Sequence, residues 1–142
     1  YLPGGASGGI LPASKADIRL DFGGELAEYG CFVGSHAIVI LSDHDNIWDV
    51  AMNLMKFFKH ESCGQCTPCR AGTDKAVSIM SATVYQPELL SEIATVMRDA
   101  SICGLGQAAA NPLSCAMRFF PEECERSFSS VSTESNLSGS NT

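Results

Sequence analysis

Apolar residues recur at intervals of three and four from Asn46 onward, and this period is typical of an amphipathic helix. Asp45 or Asn46 can cap its first turn, and Lys56 and Lys59 fall in its last turns, where cations suit the helix dipole. The apolar positions of the stretch are Ile47, Val50, Ala51, Leu54, Phe57 and Phe58. We therefore expect a helix that leads into the first cysteine-rich segment.

Prolines and the same apolar period predict three more helices downstream. One should start with Thr67 as its N-cap and Pro68 in the first helical position. A second should run over Pro87–Ala100, and a third should start at Asn111 and be kinked or ended by Pro121. Four helices with short connections indicate a small bundle, in which the first-to-second and third-to-fourth connections meet at one end.

The first 45 residues follow a different pattern, with short alternations of apolar and polar side chains. Ile18 to Phe22 alternates, and Ala37 to Leu41 is a β-branched apolar run bounded by Gly34 and Ser42. Such a run between turn residues is typical of a buried strand. The segment is therefore predicted to be β-rich and incomplete.

These patterns together predict an α+β chain in three parts. Residues 1–45 form the partial β segment, residues 46–126 form the four-helix bundle, and residues 127–142 form a serine-rich tail. The tail is rich in Ser, Thr, Asn and Gly and poor in apolar residues, so we expect it to be disordered.

Composition and charge narrow the possible partners. The chain has 142 residues, of which 45% are hydrophobic and 18% charged, enough for a packed core. Its net charge of -7 argues against nucleic acid or an anionic membrane as a partner. No apolar run is long enough to cross a bilayer, so we expect no membrane insertion and a cytoplasmic location. The first residue is Tyr1, and we expect the chain to be a fragment of a longer polypeptide.

Cys63, Cys66 and Cys69 stand at a repeated Cys-x-x-Cys spacing, and Cys103, followed by glycine, is the best-placed fourth thiol. Zinc ribbons usually take their ligands as two separated pairs. Three closely spaced cysteines instead suit three corners of a four-iron four-sulfur cluster, and one distant cysteine suits the fourth corner. The cluster is the leading hypothesis, and a structural zinc site with four cysteines, in an interaction module, is the alternative.

The other three cysteines, Cys31, Cys115 and Cys124, are expected to be buried small hydrophobic residues. An odd number of cysteines in a chain this rich in aliphatic residues does not suit a secreted disulfide scaffold. A reducing compartment fits better.

Several residues near the motif are candidates for contacts that tune a metal centre. Arg70 brings a cation close to an anionic cluster, and Gly64, Gly104 and Gly106 allow backbone N–H groups to approach the sulfurs. The alternatives are a solvated helix residue for Arg70 and plain turns for the glycines. His60 is a weaker ligand candidate because the four cysteines already complete the set.

Two segments resemble a known family, the flavin- and NADH-binding subunit of respiratory complex I with its relatives in NAD-reducing hydrogenases and NAD-dependent formate dehydrogenases. Glu61–Arg70 is similar to the family's cluster motif, and Ser101–Gln107, followed by Asn111, is similar to its fourth-ligand segment. The glycine-rich start of the chain is similar to the family's β-grasp (SLBB) domain. The resemblance covers residues 1 to 121.

The resemblance implies an electron-transfer role. In that family, NADH gives hydride to flavin mononucleotide, and single electrons pass to a four-iron four-sulfur cluster and on to other iron-sulfur subunits. It implies that Cys63, Cys66, Cys69 and Cys103 bind the cluster here, and that an upstream flavin domain of the same polypeptide is the partner. The formate dehydrogenase branch looks most similar, from phrases such as Leu54–Phe58.

Two departures from the family pattern limit what is implied. The glycine-rich region for NADH and FMN is absent, so no residue is assigned to either cofactor and none is assigned as catalytic. The linker between Cys69 and Cys103 is shorter than usual in the family, which shortens a helix or a loop.

Overall fold

The computed structural model describes residues 1–134, and the side chains of residues 1–129. This part of the chain is mostly helical. A short 3-10 turn covers Ala13–Lys15. The helices are α1 (Glu25–Glu28), α2 (Ile47–Glu61), α3 (Thr67–Met80), α4 (Pro87–Ala100), α5 (Gly104–Ala108), α6 (Asn111–Phe119) and α7 (Pro121–Glu134).

The four predicted helices are confirmed as α2, α3, α4 and α6, and local chemistry explains their ends. The Asn46 side chain caps α2 by accepting a hydrogen bond of 3.1 Å from the backbone N–H of Asp49. Proline opens α3, α4 and α6 in the first turn, where its missing N–H costs no helical hydrogen bond. Local sequence signals therefore explain why these four helices begin where they do.

Helix α2 lies at the centre of the bundle. It packs against α3, α6 and α7, while α4 packs against α3, α5 and α6. Met55 of α2, Leu90 of α4 and Leu113 of α6 are fully buried in one core, which Ile10 and Leu11 of the N-terminal segment join. The connections α2–α3 and α4–α5 are thereby held near one another, since α3 also packs against α5.

The predicted buried strand over residues 37–41 is wrong. Among the described residues there is no strand, and the segment makes only one isolated antiparallel bridge, between Leu2 and Val39. Ile38 and Ile40 are 55% and 75% exposed. The described residues include no neighbouring strand with which this segment could pair. The expected partial β-grasp is therefore not seen.

The N-terminal segment is instead held by close backbone packing that only glycine permits. A Cβ on Gly4 would collide with the Phe32 carbonyl oxygen, and one on Gly9, at φ +89°, would lie 2.6 Å from the Cys31 sulfur. The Asn111 side chain donates a hydrogen bond of 3.0 Å to the Ser7 carbonyl and ties this segment to α6. Close packing at glycine positions, and not strand pairing, therefore determines the conformation of these loops.

Pro121 ends α6 as predicted, but it also opens α7, a helix that was not predicted from the sequence. Glu122 and Glu123 suit the start of a helix, and Cys124 and Phe128 are buried on one face of α7. Phe128 completes an aromatic cluster with Trp48 and Tyr85, whose ring centroids lie 5.1 Å from its own. The disordered tail was predicted to begin at residue 127. Residues 127–134 belong to α7, and residues 135–142 lie outside the described part.

No helix within residues 1–134 combines the length and the apolar character needed to cross a membrane.

Candidate metal centre

The cysteine triplet lies where α2 passes into α3. Cys63 is exposed in the connecting loop, Cys66 is the N-cap of α3, and Cys69 is buried in the first turn. The cap is therefore Cys66 and not Thr67 as predicted. Gly64 turns the loop with a φ of +75°, a conformation that glycine adopts without strain. We call Cys63, Cys66, Cys69 and Cys103 the motif cysteines.

The fourth motif cysteine, Cys103, is exposed and is the N-cap of α5. This five-residue helix was not predicted from the sequence, because two of its five residues are glycines, which are poor helix formers. Helix α5 packs against α3 and α4, and a Cβ on Gly106 of α5 would lie 2.9 Å from the Cys69 Cβ in the first turn of α3. Both cysteine-bearing connections therefore lie at the same end of the bundle, as predicted.

The sulfur of Cys66 lies between the two connections. Hydrogen bonds from the backbone N–H of Ile102, and then of Cys69, lower the pKa of the Cys66 thiol, and the Ser101 hydroxyl acts in the same direction. Ile102 directly precedes Cys103, so the structure brings the triplet and the fourth cysteine segment together. A lowered pKa favours the thiolate, which is the form that binds metals.

Two serines that were not singled out from the sequence complete the surroundings of these sulfurs. Ser62 Oγ lies 3.3 Å from Cys69 Sγ and also accepts a hydrogen bond of 3.3 Å from the Gly64 N–H. Ser101 Oγ is the one buried side-chain oxygen or nitrogen without a hydrogen-bond partner among the described residues. Its position beside a cysteine segment, as Ser-x-Cys, was the signal in the sequence.

An unsatisfied buried hydroxyl costs about 1–3 kcal/mol, so Ser101 calls for an explanation. The Ser101 hydroxyl faces the Cys66 sulfur. The Ser101 backbone carbonyl already accepts a hydrogen bond of 3.0 Å from the side-chain N–H of Gln107. Gly106 gives it room, because a Cβ there would lie 2.6 Å from Ser101 Oγ and 2.9 Å from the Cys69 Cβ. An acceptor bound at this place would satisfy the hydroxyl.

The three candidate glycines differ. Gly106 is needed for close packing, and Gly64 is needed for its positive φ but has open space around it. A Cβ on Gly104 would meet no atom within 4 Å, and its φ is not positive, so packing does not require glycine there.

The cationic side chains near the motif have different contacts. The Arg70 guanidinium donates to the Gly64 carbonyl and, at 3.3 Å, to Thr67 Oγ1, so it braces the cysteine loop. Lys59 is paired with Asp74 at 2.6 Å, which already balances its charge. Lys56 is exposed, and His60 is exposed with its Nδ1 3.0 Å from Glu61.

The donor set suits a thiolate-bound metal centre such as an iron-sulfur cluster. Four cysteine thiols are soft ligands, and backbone N–H groups and a hydroxyl converge on one of the sulfurs. Within residues 1–129, no three His, Cys, Asp or Glu side chains lie close enough together to share one ion. A zinc ion needs four ligands at about 2.0–2.3 Å, whereas in a four-iron cluster each thiolate binds its own iron.

Cys31, Cys115 and Cys124, which we call the core cysteines, are buried as predicted. The sulfurs of Cys31 and Cys115 lie 3.6 Å apart, and their shared hydrogen bond, followed by burial, raises the pKa of Cys31. Burial raises the pKa of Cys124 to about 11, and the Tyr85 hydroxyl donates a hydrogen bond to its sulfur. These thiols are partnered inside the protein.

Comparison with known proteins gives one family and a consistent set of relatives. The family model for the NADH-ubiquinone oxidoreductase-F iron-sulfur binding region matches residues 49–127. The F subunit of the NADH-quinone oxidoreductase of Rickettsia typhi is 37% identical over 130 residues, covering 87% of this chain and 31% of the relative. The F subunit of Rhodobacter capsulatus is 36% identical, covering 87% and 30%. The chain thus spans about a third of the length of these curated relatives.

Solved structures share the fold. The NAD+-reducing [NiFe]-hydrogenase in the H2-reduced state matches with a TM-score of 0.70 at 24% identity, covering 98% of this chain and 27% of that one. The air-oxidized state matches with a TM-score of 0.72 at 27% identity, covering 86% and 22%.

Proposed function

The chain belongs to the family of the NADH-ubiquinone oxidoreductase-F iron-sulfur binding region, and on this premise we propose that it is an electron-transfer module with one four-iron four-sulfur cluster. Cys63, Cys66, Cys69 and Cys103 would hold the cluster. The observation that carries the ligand set is the close approach of the two cysteine segments: α5 packs against α3, and a Cβ on Gly106 would lie 2.9 Å from the Cys69 Cβ. The Ile102 N–H, next to Cys103 in the chain, also lowers the pKa of the Cys66 thiol. A bound cluster of this kind accepts and releases one electron at a time.

The protein supplies the position and the electrostatics of the centre. Cys66 is the N-cap of α3, so the free N–H groups and the positive dipole end of this helix lie beside its sulfur and favour its thiolate form. Arg70 holds the loop between Cys63 and Cys66 in shape through the Gly64 carbonyl.

The larger protein is proposed from the names of the relatives. We propose that this chain is part of an NADH dehydrogenase subunit, in which FMN next to the cluster exchanges electrons with NADH. Its partners would be a flavin domain of the same polypeptide and further iron-sulfur subunits. The resemblance of its sequence phrases favours a soluble, cytoplasmic NAD-dependent formate dehydrogenase as the parent enzyme. None of the described residues is assigned to FMN or NAD.

We propose further that residues 1–45 are one edge of a β-grasp domain. The bridge between Leu2 and Val39 supports this, with hydrogen bonds of 2.9 and 3.1 Å in both directions. The exposed apolar side chains of Ile38 and Ile40 also fit a sheet that continues beyond this bridge.

Metal analysis tests the central proposal. The chain is purified anaerobically, and iron, acid-labile sulfide and zinc are measured per chain, with electron paramagnetic resonance before and after reduction. About four iron and four sulfide per chain, as a four-iron cluster requires, with a signal in the reduced state, is the expected result. Zinc without sulfide would contradict it and would favour the structural zinc module, whose removal should unfold the protein.

A further inference from the structure

Two serine hydroxyls face the sulfurs of motif cysteines, and each serine ends a helix. Ser62 is the C-cap of α2, with its N–H bonded at 3.0 Å to the Phe58 carbonyl. Ser101 is the C-cap of α4, with its N–H bonded at 3.2 Å to the Met97 carbonyl. Both side chains are therefore carried by anchored backbone at the end of the bundle that holds the cysteines.

We propose that Ser62 and Ser101 donate hydrogen bonds to the sulfurs of the bound cluster and its ligands, and thereby raise the reduction potential of the centre. The proposal rests on the iron-sulfur function proposed above. It assigns both serines as tuning residues that act through Cys69 and Cys66, and it involves no transfer of a proton.

The direction of the Ser62 hydrogen bond follows from its two partners. Ser62 Oγ accepts from the Gly64 N–H, which leaves its own proton free for the Cys69 sulfur at 3.3 Å. A free Cys69 thiol can act as either donor or acceptor. A metal-bound thiolate has no proton, so in the loaded protein the Ser62 hydroxyl must be the donor.

The evidence for Ser101 is its missing partner. Its Oγ is buried and makes no hydrogen bond of good geometry within the described residues. The hydroxyl is directed at the Cys66 sulfur, towards which the backbone N–H groups of Ile102 and Cys69 also point. Gly106 keeps open the space that the hydroxyl occupies, since a Cβ there would lie 2.6 Å from Oγ. A cluster sulfur would supply the absent acceptor.

The effect on the potential follows from charge. One-electron reduction adds a negative charge that is shared with the sulfurs, so a hydroxyl donor stabilises the reduced form more than the oxidised form. Removing a donor should therefore lower the potential. Both donors act on the same centre, so the double variant should have a lower potential than either single variant.

The test compares Ser62→Ala, Ser101→Ala and the double variant with the unmodified chain, each purified anaerobically with its cluster. Ser81→Ala is the matched control, because the Ser81 hydroxyl bonds the Val77 carbonyl at the other end of α3. Iron and sulfide are counted first, and the potential is then titrated by electron paramagnetic resonance.

Each serine variant should keep its iron and sulfide and lose about tenfold in the reduction equilibrium constant, which is about 59 mV for one electron. Ser81→Ala should match the unmodified chain, and Ser62→Thr, which keeps a hydroxyl, should restore most of the potential. Loaded Ser62→Ala and Ser101→Ala variants that titrate with the unmodified chain would overturn the proposal.

A second measurement covers the case in which a variant loses its cluster. Resonance Raman spectra in H2O and D2O should show shifted iron–sulfur stretching bands in the unmodified chain, because exchangeable protons hydrogen-bond the sulfurs. The shift should be smaller in whichever serine variant retains its cluster, because only the backbone N–H donors remain beside the substituted position. Unshifted bands would overturn the proposal without any variant. If the unmodified chain itself contains no iron and sulfide, the proposed function fails, and this outcome is distinct from a loaded protein whose serines leave the potential unchanged.

Discussion

The motif cysteines and the core cysteines are the same residue in two opposite settings. Three of the four motif cysteines reach the surface, and they stand in loops and at helix starts. All three core cysteines are buried, and their partners are one another, Tyr85 and the backbone. At the motif end, backbone N–H groups and one unpartnered hydroxyl converge on sulfur, whereas the core leaves no such donor unused among the described residues.

This difference shows that the surroundings of a cysteine thiol, rather than the residue type, determine its chemistry. Cys66 has its pKa lowered by N–H donors, while Cys124 has its pKa raised to about 11 by burial. The first is prepared to be an anion and a ligand, and the second behaves as a small apolar side chain. Four predictions test how sharp this division is.

The largest effect is expected for replacement of a motif cysteine. Cys63→Ala, Cys66→Ala, Cys69→Ala or Cys103→Ala should each abolish the paramagnetic signal of the reduced centre, because each removes a corner ligand. Cys31→Ala, Cys115→Ala and Cys124→Ala are the matched controls and should keep the signal. An intact signal in Cys103→Ala would exclude this residue as the fourth ligand. The proposed distinction between the motif cysteines and the core cysteines would then be wrong.

The packing of the core cysteines should be most sensitive to a substitution at Gly9. Gly9→Ala places a Cβ 2.6 Å from the Cys31 sulfur and 2.9 Å from the Cys115 sulfur, at a φ of +89°. Strain and overpacking together should lower the free energy of unfolding by about 2–5 kcal/mol.

Gly23→Ala is the control for Gly9→Ala, since Gly23 has a φ of +72° and nothing within 4 Å of its Cβ position. It should cost only the conformational strain, about 1–2 kcal/mol. Urea unfolding of both variants measures the difference. Equal losses would mean that the core cysteines are not tightly packed against this loop.

A second glycine pair tests the motif end. Gly106→Ala places a Cβ 2.6 Å from Ser101 Oγ and 2.9 Å from the Cys69 Cβ, whereas Gly104→Ala meets nothing within 4 Å. Gly106→Ala should lower stability by about 1–3 kcal/mol and reduce the iron retained per chain, because it displaces two groups at the centre. Gly104→Ala should be close to neutral, since alanine is favoured in a helix. Equal iron content in the two variants would count against this packing.

The smallest effect is an alkaline loss of stability that comes from the core alone. Burial raises the pKa of Cys124 to about 11 and that of Tyr85 to about 12. Both groups therefore ionise more easily in the unfolded chain than in the folded protein. Their contribution to the free energy of unfolding is complete below their ordinary pKa values. It is lost as the pH rises through about 9 to 12.

Urea midpoints between about pH 8 and 11, followed by the fluorescence of Trp48, measure this alkaline loss. In Cys124→Ala the decline should be shallower, because one of the titrating groups is absent. The same slope in both proteins would show that Cys124 does not couple to folding.

Much of the helical part could be predicted from sequence, because its signals are local. The Asn46 cap and the prolines Pro87 and Pro112 mark helix starts that the structure confirms. The α7 helix was missed because its serine-rich composition hides the few buried positions, such as Cys124 and Phe128. Composition reports the many exposed residues, whereas a helix on a surface needs only one apolar face.

The N-terminal segment could not be predicted, because its form depends on contacts far along the chain. The run over residues 37–41 has the composition of a strand, but a strand needs a neighbour, and none lies within the described residues. At the centre, spacing identified four thiols, but not Ser62 and Ser101, whose importance lies in three-dimensional proximity to sulfur.

The tie between Asn111 and the Ser7 carbonyl spans 104 residues, and the contact between Cys31 and Cys115 spans 84. The cysteine end, in contrast, is formed by helices that follow one another closely in the chain. Since contacts between distant residues form slowly, the chain should complete its metal-binding end early in folding and close its N-terminal loops over the core last. Newly made chains could then receive iron before the rest of the domain has locked in place.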